Sequence, residues 1–512
     1  MKPIHIALIL LLFSFACQNN KMKINEKKLS EKILSEEEIL AQKEELRQQK
    51  EQELTDSLAK LPKGFRFEAI RKVNLQHRPH IIDVVNRIDS TKEFKLSDVA
   101  NTIEYIRIQN LPDSSISNNM DYKYYMTDKH LVASNIYGIH LFTKDGKFKN
   151  TIVKNNSSGV KYDRKTDRVS VYFSNFAKIG GNTSVWSRGD NLFYHYKNTN
   201  TGQDYIMELD CSQELLGINT EFEPENPRKV IGLGKISVDL NHGHDKVFKA
   251  AHPNGMSSYG SKYLYDMIGI FSPDKNTYLL QSPNGSNMLK ILNTRGDTLS
   301  SFKKLEQLKN FKRRSYRGFD YGNSYEKNGN YYFRTDYNDT IFKVIPPNII
   351  QPEYVFHLGN HKVSKQNALN STFDLTGKIT PYEWADSKDY IFMSFIKDAN
   401  LSPNSMKKKS VKLHYALYDK KNKNLQFVKN NPTSYTLENL VNDIDGGFSV
   451  WPKSYMINRY GEIMMALRGE DIKEQVASDE FKNSLAPAEN KQKLIDLANN
   501  CTNDDQILML VK

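Results

Sequence analysis

From about residue 80 onward, short runs rich in Val, Ile, Tyr and Phe alternate with clusters of Asn, Asp, Gly and Ser. That alternation predicts consecutive antiparallel strands. The clearest runs are Ile103–Ile108, Leu131–Ser134, Ile139–Thr143, Val169–Phe173, Leu192–Tyr196, Thr277–Gln281, Tyr331–Arg334, Ile341–Ile345, Tyr390–Phe395 and Lys412–Tyr418. Between Ile139–Thr143 and Phe148–Val153 stands Lys144-Asp145-Gly146-Lys147, whose Asp-Gly pair suits a tight hairpin turn. Residues 293–297, 419–424 and 459–462 repeat the theme. Strand units of this kind, four at a time, resemble propeller blades, so 80–512 reads as an all-β propeller, with about 72 residues per unit if there are six blades. Room remains for long insertions at 213–228, 240–260, 303–318 and 397–410. Two unrelated β-sandwiches are the alternative; the lack of any Pro/Gly/Ser-rich linker between 80 and 512 favours one closed body. In such a body the first and last strands meet, and Ile507–Val511 is expected to pair with, or neighbour, Ile81–Val85.

The beginning of the chain follows another pattern. Lys2 precedes an apolar run from Ile6 to Phe13, too short to span a bilayer, followed by Ser14-Phe15-Ala16-Cys17. This resembles the lipobox of bacterial lipoproteins, in a form lacking Leu three positions before the Cys. The resemblance implies a signal peptide over 1–16 cut after Ala16, with Cys17 lipidated and 17–25 as a tether. An ordinary signal peptide with Cys17 incidental is the other reading. Several acyl chains on one Cys anchor firmly, at about 0.8 kcal/mol per buried CH2. No acid occurs between Gln18 and Ile24; the acidic export signal of surface lipoproteins is therefore missing, which favours the periplasmic face of the outer membrane.

Residues 26–62 form a charged stretch. Within 26–60 there are ten acids and seven bases, with no Gly or Pro before Pro62. Good helix formers fill it, and its Leu and Ile positions hold no sustained heptad seam. The prediction is a solvated helical stalk of roughly 45 Å at ~1.5 Å per residue. A homo-oligomeric coiled coil is the alternative.

Several segments of the main body resemble the six-bladed β-propeller lipoproteins of Bacteroidetes, a family distantly similar to NHL-type repeats. They are Phe94–Ile108, Ile139–Phe148, Tyr337–Val344, Pro352–Gly359, Asn442-Asp443-Ile444-Asp445-Gly446-Gly447, and Asn503-Asp504-Asp505 with Ile507–Val511. The match is carried by strand and turn motifs and implies the fold. It carries over no biochemical role.

Composition narrows the remaining classes. The 512 residues are 38% hydrophobic, with 28 Tyr and 25 Phe, too aromatic for a disordered chain. The three Cys exclude a disulfide scaffold, and no C-x-x-C is present. Cys211 and Cys501 would form a disulfide in an oxidising compartment; two separate buried thiols is the preferred alternative. The formal charge of +12 is concentrated in runs such as Lys312-Arg313-Arg314 and Lys407–Lys409. In an exported lipoprotein these read as solvated surface that leans toward anionic lipid or lipopolysaccharide rather than nucleic acid.

Candidate chemistry is sparse. His242 and His244 alternate on an extended segment and share a face, so with Asp245 they form the one candidate site for a divalent cation; exposed polar His pairs of this kind are also ordinary, and no other cofactor is expected. His77 and His80 flank the first strand. The acid pairs Asp443/Asp445 and Asp504/Asp505 sit in turns, where such acids usually satisfy their own backbone. No G-x-S-x-G, H-E-x-x-H, Walker or Rossmann pattern is present, so no catalytic residue is assigned. Trp186, Trp384 and Trp451 read as packing. The functional expectation is a lipid-anchored, non-enzymatic binding module for an envelope protein, glycan or peptide. A polysaccharide hydrolase or lyase on the same scaffold is the alternative.

Overall fold

The computed structural model describes residues 36–62, 77–110, 123–135 and 138–154, the strands between 160 and 303, and 323–398, 412–429 and 440–512 apart from a few loop positions. The chain forms two units, 1–56 and 57–512. In the first, a helix begins at Glu36 (α1, Glu36–Ala59). Most of its described residues are exposed, Leu46 among them, as for a solvated helix stabilised by its helix formers, while Leu58 near its end is buried.

The second unit is built from meanders. The chain enters through β1 (His80–Asp83), β2 (Thr91–Lys92) and β3 (Ile103–Ile108). The β4 sheet follows, with β4 (Lys123–Met126), β5 (His130–Asn135), β6 (Gly138–Thr143) and β7 (Phe148–Lys154), then a hairpin of β8 (Val160–Asp163) and β9 (Arg168–Val171). The β10 sheet contains β10 (Val185–Arg188), β11 (Asn191–Lys197), β12 (Asp204–Asp210) and β13 (Gly234–Asp239). The β14 sheet contains β14 (Gly269–Phe271), β15 (Thr277–Gln281), β16 (Asn287–Asn293) and β17 (Thr298–Lys303). The β18 sheet contains β18 (Asn323–Lys327), β19 (Asn330–Arg334), β20 (Thr340–Ile345) and β21 (Ile349–His357); the β22 sheet contains β22 (Ile379–Asp386), β23 (Tyr390–Lys397), β24 (Lys412–Asp419) and β25 (Asn424–Val428). The closing sheet has the order β26 (Ile463–Arg468), β27 (Gln506–Val511), β3.

Side-chain alternation shows how these sheets stack. On β23, Ile391, Met393 and Phe395 pack with Ile341 and Phe356 of the β18 sheet. The intervening Phe392 and Ile396 pack with Ile507, Met509 and Val511 of the closing sheet. On β27 the other parity, Leu508 and Leu510, packs with Leu131, Ala133 and Phe142 of the β4 sheet. A strand apolar at nearly every position, such as Tyr-Ile-Phe-Met-Ser-Phe-Ile-Lys over 390–397, is what burial on both faces requires. The first strands of neighbouring sheets also touch, β18 against β22 and β4 against β10. Consecutive meanders stacked face to face, with first strands adjacent, define a propeller-like arrangement. This excludes the two-sandwich alternative, in which each sheet would bury a single face.

The ends of the unit do meet, but not as expected. The partner of β27 is β3, antiparallel, with Met509 opposite Tyr105 and Leu508 opposite Ile106. The run at Ile81–Val85 instead supplies β1, which adds in parallel to the outer strand β21, with Ile82 opposite Phe356. Further on, β2 adds to the outer strand β25. The N-terminal segment is thus a strap: it caps two successive outer edges, then closes a third sheet. Capped edges offer no template for aggregation.

The expectation of an all-β body is corrected by a helical insertion between β26 and β27: α2 (Gly469–Ala477), α3 (Asp479–Asn483) and α4 (Ala488–Asn500). Arg468 N donates to Asp471 Oδ2 at 2.7 Å at the start of α2, and Phe481 N donates to Ser478 Oγ at 3.1 Å at the start of α3, ordinary N-terminal caps. Ile472, Phe481, Leu494 and Ala498 bury the inner side of the insertion against the closing sheet. Of the four insertions expected from the sequence, 213–228 and 240–260 lie outside the described residues, as do most of 303–318 and 397–410.

Candidate functional site

The polar groups that converge do so where first hairpin turns of neighbouring sheets meet. β22 ends at Asp386, and Ser387-Lys388-Asp389 turns the chain back into β23. Ser387 N donates to Tyr390 O at 2.9 Å, and Tyr390 N donates to Ser387 Oγ at 3.2 Å. This turn reaches the closing sheet, since Lys388 N donates to Gly461 O at 3.0 Å. Gly461 has φ +81°, and a Cβ there would lie 2.5 Å from Lys388 N, so only glycine allows the approach.

The turn holding Gly461 is organised by Asn458, whose Oδ1 accepts from Tyr460 N and Glu462 N at 2.9 and 3.0 Å. It passes the contact on to the β4 sheet. Tyr460 OH donates to Thr127 O at 3.1 Å, and Arg459 Nη1 lies 3.0 Å from Asp128 Oδ1. Lys144 Nζ sits 5.3 Å from the centre of the Tyr460 ring, a cation–π contact. First turns of the β22, closing and β4 sheets therefore form a linked collar.

The collar's link from β22 back to the β18 sheet is its most charged part. Asp386 is 4% exposed. Lys327, the last residue of β18, places Nζ 2.5 Å from Asp386 Oδ1. Lys420, just past β24, bonds the same oxygen, and Tyr325 OH donates to Oδ2. Both ammonium groups also donate to Ser387 O. Tyr325 stacks on Tyr332 at 5.0 Å and meets Trp384 edge-on at 5.5 Å. Burial, with the Asp386 charge second, holds the Tyr325 phenol well above its ordinary range. Lys420 is pushed down to about 8, first by burial; Asp386 opposes this and Lys327 adds to it.

Two further carboxylates are buried. Asp445 accepts from Tyr105 OH at 2.8 Å, Asn442 Nδ2 at 2.7 Å and Gly447 N at 2.9 Å. Asp505 accepts from Arg107 Nη2 at 2.7 Å and Thr502 N at 2.7 Å. Asp443 accepts from Ser97 N and Oγ. Asp443, Asp445 and Asp505 of the acid pairs are therefore turn and closure fasteners, in line with their placement in turns.

Cys501 is buried at the end of α4, with Sγ 3.6 Å from Ala498 O, and burial raises its thiol pKa. Cys211, Ala16, Cys17, His242, His244 and Asp245 lie outside the described residues. His77 Nε2 lies 3.6 Å from Glu353 Oε2, and His80 stacks on Tyr354 at 5.5 Å. Trp384 and Trp451 are core residues. Among the described residues, no three His, Cys, Asp or Glu side chains are grouped to hold a metal ion. Nor is any helix there long and apolar enough to cross a membrane.

The Asp386 cluster was missed in the sequence because its members are 59 and 34 residues apart. The signal available was positional: Lys327 and Asp386 each end the first strand of a four-strand unit, and Lys420 follows the third.

The stacked meanders define a propeller-like class of protein. The family described as a domain of unknown function (DUF4933) matches residues 62–478, and the chain belongs to that family. No curated protein matches the sequence. Among solved structures, a Bacteroides fragilis protein described as exported is similar at 11% identity, covering 85% of this chain and 99% of its own, with a TM-score of 0.48. A Bacteroides caccae protein of unknown function is similar at 10% identity, covering 62% and 85%, with a TM-score of 0.29. An α-L-arabinofuranosidase from Podospora anserina is similar at 12% identity, covering 66% and 100%, with a TM-score of 0.21. None of these likenesses assigns this chain an activity.

Proposed function

We propose that the chain is an envelope lipoprotein, anchored through Cys17 at the periplasmic face of the outer membrane, whose six-bladed propeller is a non-enzymatic binding module. The β4, β10, β14, β18, β22 and closing sheets would be its blades. The observation that carries the binding reading is the use made of the buried acids. Asp386, Asp445 and Asp505 are each tied to the scaffold by two or more donors, whereas a hydrolytic pair needs two carboxylates facing one cleft. The linked collar supplies a rigid face of the kind on which propellers present ligand contacts. A partner would be another envelope protein, a glycan or a peptide.

The test is affinity capture of the lipidated chain from detergent-solubilised envelopes, beside a Cys17→Ser variant and with labelled palmitate in the growth medium. The expected result is palmitate on wild type alone and one stoichiometric envelope protein or glycan retained by the body. Label on both forms contradicts the anchor, and the absence of any retained partner contradicts the binding module.

A further inference from the structure

Two lysines from neighbouring sheets share one carboxylate, and the charge count there is unbalanced. Lys327 and Lys420 side chains are 15% and 19% exposed, while Asp386 is 4% exposed. Their Nζ atoms bond the same two acceptors, Asp386 Oδ1 and Ser387 O, so two like charges are held side by side. Tyr325 occupies the second carboxylate oxygen as a neutral donor. A lysine desolvated beside another cation is the arrangement that frees an amine for nucleophilic attack.

We propose that Lys420 is a nucleophilic amine that captures carbonyl compounds, aldehydes or oxo acids, as an imine, with Lys327 as its neighbouring acid. This goes beyond the binding reading above and does not depend on the lipid anchor. The lone pair of neutral Lys420 Nζ attacks the carbonyl carbon, and the C=O π pair moves to oxygen, which takes a proton from the Lys327 ammonium. One of the two N–H protons of the now cationic nitrogen passes to Lys327, giving a carbinolamine. Lys327 then protonates the hydroxyl, which leaves as water as the nitrogen lone pair forms C=N. The second N–H proton returns to Lys327. Amine plus carbonyl gives imine plus water, with Lys327 restored and no oxidant or reductant consumed.

Lys420 is the nucleophile because burial and Lys327 push its pKa down to about 8, against the pull of Asp386. Around the cluster, Asp386 acts on Tyr325, Tyr332 and Tyr354, and Glu353 on the last two, while Lys420 donates through N to Asp389 O at 3.1 Å and through Nζ to Lys388 O at 3.3 Å. Burial first, with the Asp386 charge among the lesser causes, raises Tyr325, Tyr332 and Tyr354, so these phenols stay neutral where Lys420 titrates. Lys421 and Lys423, exposed in the same turn, are built-in controls.

The full chain is incubated with glyoxylate or, separately, acetaldehyde, in the presence of cyanoborohydride, which reduces an imine to a stable secondary amine. Modified lysines are then quantified by peptide mass spectrometry. At about pH 7.5, Lys420 should be modified at least about tenfold faster than Lys421 and Lys423, with a pH midpoint near 8. In Lys327→Met the midpoint should move up toward about 10.4, the ordinary lysine value. A preference for glyoxylate assigns oxo acids, and equal rates assign aldehydes in general. Modification of Lys420 no faster than its neighbours overturns the proposal, as does an unchanged pH profile in Lys327→Met. If that variant does not fold, the wild-type rate ratio and pH midpoint alone decide. A partner lost from the capture experiment with this chemistry intact would overturn the binding module without touching this inference.

Discussion

At the residue scale, the collar and its charged knot make two predictions. Lys420 in the folded chain releases its proton near 8, below the ~10.4 of an unfolded lysine. Between those values the unfolded state binds more protons, so stability rises with pH across that window. The buried phenols Tyr325, Tyr331, Tyr332 and Tyr354 are shifted the other way; the folded state keeps their protons longer, and stability falls above about pH 10. Urea midpoints should therefore be higher at about pH 9.5 than at about pH 7.5, and Lys420→Met should flatten that rise. A midpoint that falls steadily from about pH 7.5 upward would contradict the assignment. The second prediction compares glycines. Gly359 has φ +51° with open space around it, whereas Gly461 has φ +81° with Lys388 N against the missing Cβ. Gly359→Ala should cost about 1 kcal/mol of backbone strain, and Gly461→Ala clearly more, because the link between two sheets must also give way. Equal losses in denaturant titrations would deny the collar a structural role.

At the element scale, β27 is where burial is densest: Leu508 is fully buried against the β4 sheet, and its neighbours in the strand pack against the β22 sheet. Leu508→Ala should cost about 2–5 kcal/mol, read as a lower urea midpoint with the slope unchanged; a loss under about 1 kcal/mol would mean the strand is not clamped from both sides. Individual strands were legible in the sequence because a run such as Thr277–Gln281 is bounded by polar turn residues and is rich in β-formers, and it forms a strand with those bounds. Asp145-Gly146 was legible for the same reason, and Gly146 takes φ +85° in the hairpin. The closing pair was half legible. Ile507–Val511 could be read as a terminal strand, but Ile81–Val85 and Ile103–Ile108 are both apolar and strand-like. What separates them is register: the parallel fit of β1 on β21 takes the first run, and the bond between Arg107 and Asp505 fastens the second. The insertion at 469–500 carried helix signals, Ser478 before Asp479-Glu480 and Pro487 before Ala488, that strand counting passed over. The Asp386 cluster left only its positional signal, because its lysines come to one oxygen only after three strands of two sheets are in place.

At the largest scale, the second unit is held shut by its own first and last strands. The segment 80–108 lies along three sheets, and the last strand is paired on both sides, by β26 and by β3. Deleting residues 506–512 should therefore lower the melting temperature of the whole unit in one cooperative step, since it opens two ladders and exposes two core interfaces at once. A deletion that melts at the wild-type temperature would contradict this. The most direct measurement concerns the latch itself. Thr102 and Lys512 exchange both backbone hydrogen bonds, Thr102 N to Lys512 O at 3.1 Å and Lys512 N to Thr102 O at 2.9 Å, and both residues are exposed. Such a pair has Cα atoms about 5.5 Å apart, within disulfide range. The Thr102→Cys/Lys512→Cys variant should form that bond under mild oxidation, join the peptide carrying position 102 to the C-terminal peptide in a digest, and melt at a higher temperature than its reduced form. Thiols that stay free under the same oxidant would show that the two ends do not meet, and the closed propeller-like body would be wrong.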